Sequence, residues 1–403
     1  MKENKLRIAV ISDLHCHPED KVNISNNATF LFTDKLRDVS KEHPVENLKY
    51  LKISDNIDDV DFLLCPGDFT NHSDKQGLIS GWDFTNEISK ILNAKKIYAT
   101  LGNHDIDSRH KFTQYSLSFP KGIKKDFPLD DADIGHFWDK GFTFIEKSDY
   151  QILVINSTHF HTHTPLNPID SPNIKGKVDA GSIEEIEKHL DSQKGDDRIK
   201  IMLCHHHPKI HSRNGLGEHD FIENGEVLLD VLGKYKFDLI VHGHKHDPWF
   251  GSCKTTSGFS IPILSSGSFA ASKHVSFTYK VNYFHIIEIK KDSKSKGIIR
   301  TWNYKTTDGW SSEMEKFLPI TGFGNIEDID TIVGKIESFI SSKPITKWVE
   351  LVENIDNLIN LLPEEYYELF EKLAEKEYGV TYDSSSYPDC VYNNPLIKQS
   401  YGG

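Results

Sequence analysis

The sequence predicts an α/β fold: a layered domain with parallel strands, a mixed sheet after it, and a helical extension at the C-terminal end. Three observations predict it. Short apolar runs alternate with stretches of helical periodicity up to Pro248, strand-like runs then follow one another directly, and from about Gly322 apolar residues recur at helical spacing.

Strands are expected at residues 6–12, 60–64, 96–100, 150–157, 199–204 and 239–241, each an apolar run of strand length. Helices are expected between several of them. Trp82, Ile88, Ile91 and Leu92 share one helical face over 82–92. Ser182-Ile183-Glu184-Glu185 matches a capping box and starts a helix running from 183 to about 190. Residues 226–235 form another. Beyond Pro248, residues 259–264, 281–289 and 297–304 read as consecutive strands, so antiparallel pairing enters the sheet there.

In the extension, Ile326, Ile329, Val333, Ile336 and Ile340 form one apolar stripe. Trp348, Leu351, Val352, Ile355, Leu358, Ile359 and Leu362 form a second after Pro344. Leu369, Phe370 and Leu373 form a third after Pro363, and a proline suits the first turn of a helix. The stripes are expected to dock on the main domain. Residues 382–403 are rich in Ser, Pro and Asn and read as extended or partly ordered. The chain thus divides into a main domain, 1–320, and a helical module, 321–403. Two segments look like insertions: 18–56, with one helix expected near 30–39, and 158–178, which carries His159, His161 and His163. Loops that overhang an α/β site often carry specificity.

With 403 residues, 37% hydrophobic and 27% charged, the composition is that of an ordinary globular protein large enough for two or three domains. A net charge of -13 argues against a protein that coats nucleic acid, although a local basic groove is compatible with it. No run of 18 apolar residues occurs, so no membrane span is expected. Met1 to Lys5 leads straight into the first strand without an apolar leader core, so no signal peptide is expected. Cys16, Cys65, Cys204, Cys253 and Cys390 are odd in number and form no Cys-x-x-Cys pair; a reducing cytoplasm is the expected setting.

Five segments before Pro248, each placed after an apolar run, carry residue types that ligate metals: Asp13-Leu14-His15, Gly67-Asp68, Gly102-Asn103-His104-Asp105, His205-His206-His207-Pro208 and Gly243-His244-Lys245-His246. Asp13, Asp68 or Asn103 alone would read as a turn or cap residue. Joined to a Gly-His-x-His, they supply carboxylates, an amide and imidazoles, which suits two adjacent divalent cations. A bridging carboxylate would hold such ions roughly 3.5–4 Å apart, and neutral imidazole and amide ligands add no charge that repels phosphate.

The five segments, in this order from Asp13 to His246, resemble the calcineurin-like metallophosphoesterase superfamily. The resemblance implies a four-layer α/β/β/α sandwich with the ligands on loops at strand ends. It implies that Asp13, His15 and His246 bind a first cation, that Asp68 bridges, and that Asn103, His206 and His244 bind the second. His206 is selected because the family ligand commonly lies two residues before the proline; His205 is the runner-up. His104 would contact substrate and assist the leaving group, with Asp105 orienting its ring. Leu64-Cys65-Pro66-Gly67-Asp68-Phe69-Thr70-Asn71 and Ile97-Tyr98-Ala99-Thr100-Leu101-Gly102-Asn103-His104-Asp105 are similar to the class III cyclic-nucleotide phosphodiesterases, near the purple acid phosphatases. The tyrosine ligand of the latter is not evident, since Phe69 and Thr70 follow Asp68.

The expected activity is hydrolysis of a nucleotide or other small phosphodiester by a hydroxide bridging two divalent metal ions, whether Mn, Fe, Zn or Co. The alternatives are a DNA or RNA nuclease and a non-catalytic scaffold that binds a protein partner through its C-terminal helices; the complete ligand set argues against the scaffold. His205 and His207 are expected as packing residues, His242 as a strand-end packing residue, and His159, His161 and His163 as a solvated loop over the pocket. Asn71 and His72 either face substrate or lie on a polar surface loop.

Overall fold

The computed structural model describes residues 4–33, 43–108, 111–113, 115–123, 126–130, 134–163, 175–210, 220–272, 281–306, 308–312, 319–384, 386–394 and 396. Two sheets dominate. In the first, the order is Gly309–Ser311, Ser295–Lys305, Asn282–Lys291, Asn4–Val10, Phe62–Cys65 and Lys96–Ala99, with Ile320–Phe323 also paired to Ser295–Lys305. In the second, the order is Pro248–Lys254, Ser260–Ser266, Leu239–His242, Ile199–Leu203, Tyr150–Ile155 and Phe142–Glu146. The early strands pair in parallel, and Asn282–Lys291 and Ser295–Lys305 pair antiparallel, as expected.

The two-residue period of a strand sorts its side chains onto two faces. Ile152, Val154, Ile201, Leu203, Leu239 and Val241 join Ile8, Val10, Phe62 and Leu64 in the core between the sheets. Their neighbours Leu153, Ile155, Met202 and Ile240 pack instead with Ile183, Ile186 and Leu190 of helix Ala180–Ser192 and Leu228, Leu229 and Leu232 of helix Gly225–Lys234. Strands buried on both faces have no polar side, which is why they read as continuous apolar runs. Helices Pro44–Ser54 and Lys75–Ile91 flank the first sheet through Val45, Leu48, Leu51, Leu78, Trp82 and Ile88. The layers are therefore α/β/β/α.

Several boundaries differ from expectation. Helix Lys75–Ile91 starts in a polar first turn capped by Asp74, whose side chain accepts from Gly77 N; only its apolar half was legible as helix. Helix Ala180–Ser192 is capped by Asp179, which accepts from Ser182 N at 2.9 Å; Ser182 is not the cap. The helix expected near 30–39 is not seen at 30–33, and residues 34–42 lie outside the described residues; among the described residues the first α-helix is Pro44–Ser54. Strands Phe142–Glu146 and Pro248–Lys254 were not anticipated. The C-terminal module contains helices Ile329–Ile340, Trp348–Asn354 and Pro363–Glu375, but also a sheet ordered Ile345–Lys347, Pro388–Asn393 and Tyr378–Tyr382. Ile332, Ile336, Trp348, Leu351, Leu369, Leu373 and Val391 form a core of their own, so the stripes face one another more than the main domain. The module joins the first sheet through Leu362, which packs on the main core, and through Asn360 Nδ2, which donates to Gly297 O.

Among the described residues, no helix is long and apolar enough to cross a membrane.

Candidate metal centre

All five ligand segments leave the C-terminal ends of strands. Those of Asn4–Val10, Phe62–Cys65 and Lys96–Ala99 come from the first sheet, and those of Ile199–Leu203 and Leu239–His242 from the second. The loops are stitched together by their backbones: Asp13 N donates to Gly67 O, His15 N to Asp68 O, and Gly243 N to His205 O. The turns are tight. Asp13, His15, Asp68, His244 and His246 all have positive φ, between 51° and 81°, a region that side chains other than glycine rarely adopt. The motif glycines have a steric reason too. A Cβ on Gly102 would overlap the Asp68 carboxylate, and one on Gly243 would lie 2.6 Å from Asp13 Oδ2.

Two groups of ligand atoms result, each with its atoms within 4.8 Å of one another: Asp13, His15, Asp68 and His246, and then Asp68, His205 and His244. One atom, Asp68 Oδ2, lies 3.7 Å from His15 Nε2 and 3.4 Å from His205 Nε2. The other oxygen, Oδ1, accepts from His104 N at 2.8 Å. In the first group, His246 Nε2 is 3.4 Å from Asp13 Oδ1 and 2.8 Å from His15 Nε2. In the second, Asn103 Oδ1 lies 3.0 Å from His205 Nε2 and 2.9 Å from His244 Nδ1, which are themselves 3.2 Å apart.

The donor set fits metal ions. A carbonyl can only accept, so the 3.0 Å contact of His205 Nδ1 with Pro66 O places that ring's proton on Nδ1. The 2.9 Å contact of His244 Nε2 with the Asp220 carboxylate places the second ring's proton on Nε2. In those tautomers the lone pairs of His205 Nε2, His244 Nδ1 and Asn103 Oδ1 converge on one point, which calls for a cation. The electrostatics agree. Burial raises Asp68, but His205, His104 and His15 outweigh it and hold the carboxyl well below its usual range. Burial lowers His205, but Asp68 and Asp13 outweigh it and push the ring up to about 9. Burial and then the Asp68 charge push Asp105 up to about 8. In the metal-free protein, protons thus answer a demand for positive charge. Burial, reinforced by His246, holds His15 well below the usual imidazole range, as a neutral ligand requires.

Three sequence expectations need revision. His206 is not in the group formed by Asp68, His205 and His244. Its Nδ1 pairs with Ser157 Oγ at 2.8 Å, and its Nε2 is buried without a hydrogen-bond partner. The strand ends at Leu203, and the chain turns His205, rather than His206, towards Asn103. Asp105 does not orient the His104 ring. Its Oδ2 accepts from Asp68 N and Gly102 N, and its Oδ1 from Thr70 N, so it shapes the ligand loops. The His104 ring is held instead by the His72 backbone, whose N–H donates to Nδ1 at 3.3 Å. That bond leaves the neutral ring's proton on Nε2. Finally, His161 is buried, bonded to Ser108 Oγ and Lys175 O, and is not part of a solvated loop. The side chain of His163 and residues 164–174 lie outside the described residues.

The His104 ring lies 4.8 Å from that of His15 and 5.3 Å from that of exposed His72. Asn71 is buried, as are His207 and His242, the last at the end of its strand. Asp220 was missed altogether. It is a single acidic residue with no motif around it, and only the fold brings it to His244.

The sequence profile of the calcineurin-like phosphoesterase family matches residues 6–248. No curated protein matches the chain by sequence. Among solved structures, a purple acid phosphatase from yellow lupin aligns with a TM-score of 0.46 and 18% identity, over 80% of this chain and 54% of its own. A dimetal phosphatase from Danio rerio aligns with a TM-score of 0.44 and 13% identity, over 72% of this chain and 98% of its own. A 5'-nucleotidase from Staphylococcus aureus, described as putative, aligns with a TM-score of 0.38 and 15% identity, over 71% and 51%. This chain thus spans about half the length of the lupin enzyme.

Proposed function

The chain belongs to the calcineurin-like phosphoesterase family, and we propose on that premise that it hydrolyses a phosphodiester of a nucleotide or another small molecule with two divalent cations. The observation that carries the reading is the position of Asp68 Oδ2, shared between two ligand groups. Asp13, His15 and His246 complete the first group; Asn103, His205 and His244 complete the second, with His205 in the place expected of His206. When bound, the cations supply Lewis acidity, lowering the pKa of water and neutralising phosphoryl oxygens. Without them, Asp13 and Asp68, both essentially buried, would repel a phosphate.

The chain's own groups do the rest. Asp105, through the amides of Asp68, Thr70 and Gly102, holds the bridging loop in shape. Because the His72 amide occupies Nδ1, the neutral His104 ring carries its proton on Nε2. We assign it the role of a general acid that gives this proton to the departing oxygen. The wording around Gly67-Asp68 and Gly102-Asn103 supports a diester and a nucleotide over a simple monoester.

The test is hydrolysis of bis-p-nitrophenyl phosphate against p-nitrophenyl phosphate with added Mn²⁺, using Asp68→Asn as the blank. Diester turnover that vanishes in the variant is expected. Turnover of the monoester alone would replace the diesterase reading with a phosphatase, and no turnover of either with two ions bound would sink the catalytic reading of these substrates.

A further inference from the structure

We propose that Asp220 is a positioning residue for the second cation, acting through His244. The inference rests on the two-cation reading above. Asp220 Oδ2 lies 2.9 Å from His244 Nε2, on the side of the ring opposite the site. The other nitrogen, Nδ1, faces Asn103 Oδ1 and His205 Nε2. An imidazole can serve a cation through Nδ1 only if its proton sits on Nε2, and a carboxylate behind Nε2 enforces that tautomer. It also fixes the ring plane and makes Nδ1 a better electron-pair donor.

The surroundings are built for this. Asp220 is 8% exposed, so its contacts are shielded from water. The Lys245 ammonium, from the same Gly-His-x-His segment, pairs with the same oxygen and offsets the charge. The backbone brings Asp220 to its place: Ile222 N donates to His207 O at 2.9 Å, and the strand Ile222–Glu223 pairs with Gly176–Lys177. These contacts set Asp220 beside the ring that the last motif supplies.

Stepwise Mn²⁺ binding to the metal-free full chain, by calorimetry with elemental analysis, tests this. The unaltered protein is expected to bind two ions. Asp220→Ala is expected to weaken one of them about 10–100-fold, the usual effect of losing a carboxylate behind a metal-bound histidine, and to leave the other unchanged. Asp220→Asn should recover part of the loss, because its amide oxygen still accepts from Nε2–H. In the metal-free protein, where no ion dictates the proton's position, long-range imidazole ¹H–¹⁵N correlation should show His244 protonated on Nε2 in the unaltered protein and in Asp220→Asn, and a mixture of tautomers in Asp220→Ala. Equal weakening of both ions, or of neither, would overturn the proposal. So would a Lys245→Met variant that matched Asp220→Ala, since Asp220 would then serve only an ion pair. Fewer than two ions on the unaltered protein would remove the two-cation reading itself, and the inference with it.

Discussion

The two halves of the site are built differently. The first places its own carboxylate, Asp13, among the ligand atoms, beside His15 and His246 and the shared Asp68. The second contributes only neutral groups, Asn103, His205 and His244, and its private carboxylate, Asp220, stands one ring further out. A cation in the first half therefore faces two anionic ligands at close range, and a cation in the second only one. By Coulomb's law the first would be held more tightly, and the second would depend more on how well its neutral ligands are aimed. The lesson is that charge sets affinity in one half and orientation sets it in the other.

The two halves meet at Asp68, so a change there should disturb both. Asp68→Asn should abolish turnover and weaken both ions, measured by elemental analysis after dialysis; one ion retained at full strength would contradict the bridge. The halves are next separated by His205→Ala, which should cost the second ion and the diester turnover while the first ion stays bound. His206→Ala should keep both ions, and if it loses the second instead, the ligand assignment reverts to His206. A change outside both halves comes third. His104→Ala should retain two ions and lower kcat by about 10²–10⁴-fold, the usual worth of a general acid. Loss of metal in that variant would contradict its role.

The smallest effect is on stability against pH in the metal-free protein. His205 is raised from 6.5 to about 9 in the folded chain, so its contribution is full below 6.5 and is lost as pH rises through 9. Asp105, raised to about 8, prefers the folded state only while protonated, and its contribution falls in the same direction. The metal-free Tm should therefore fall from pH 6.5 to 9, and metal-loaded protein should resist the change. A flat metal-free profile would mean that the buried charge is answered in some other way.

Much of the architecture was legible because its causes are local. Strands buried on both faces, such as Ile199–Leu203 and Leu239–His242, leave an apolar run that no surface element would show. The Gly-Asp and Gly-His pairs were legible because glycine is required where backbone and carboxylate nearly touch, as at Gly102 and Gly243. What escaped was settled by distance or by the backbone. Asp220 acts on a residue 24 positions away with nothing nearby to mark it. The bond that orients His104 comes from the His72 amide, and every residue but proline has an amide. Among three consecutive histidines, counting back from Pro208 selected His206, whereas the strand end at Leu203 points His205 inward. The small sheet of the C-terminal module was hidden because Tyr378–Tyr382 is short and half-exposed, with Tyr378 and Val380 only partly buried on the module's core.

The ligands come from three strands of one sheet and two of the other. Two ions held there would act as a rivet through the rim of the sandwich, clamping the two sheets at the end where their strands stop. Stripping the ions should let that rim breathe first. Amide hydrogen exchange at Cys65, Ala99, Leu203 and His242 would quicken, while the opposite end, where Lys291 of the first sheet binds Asp238 beside the second, stays closed.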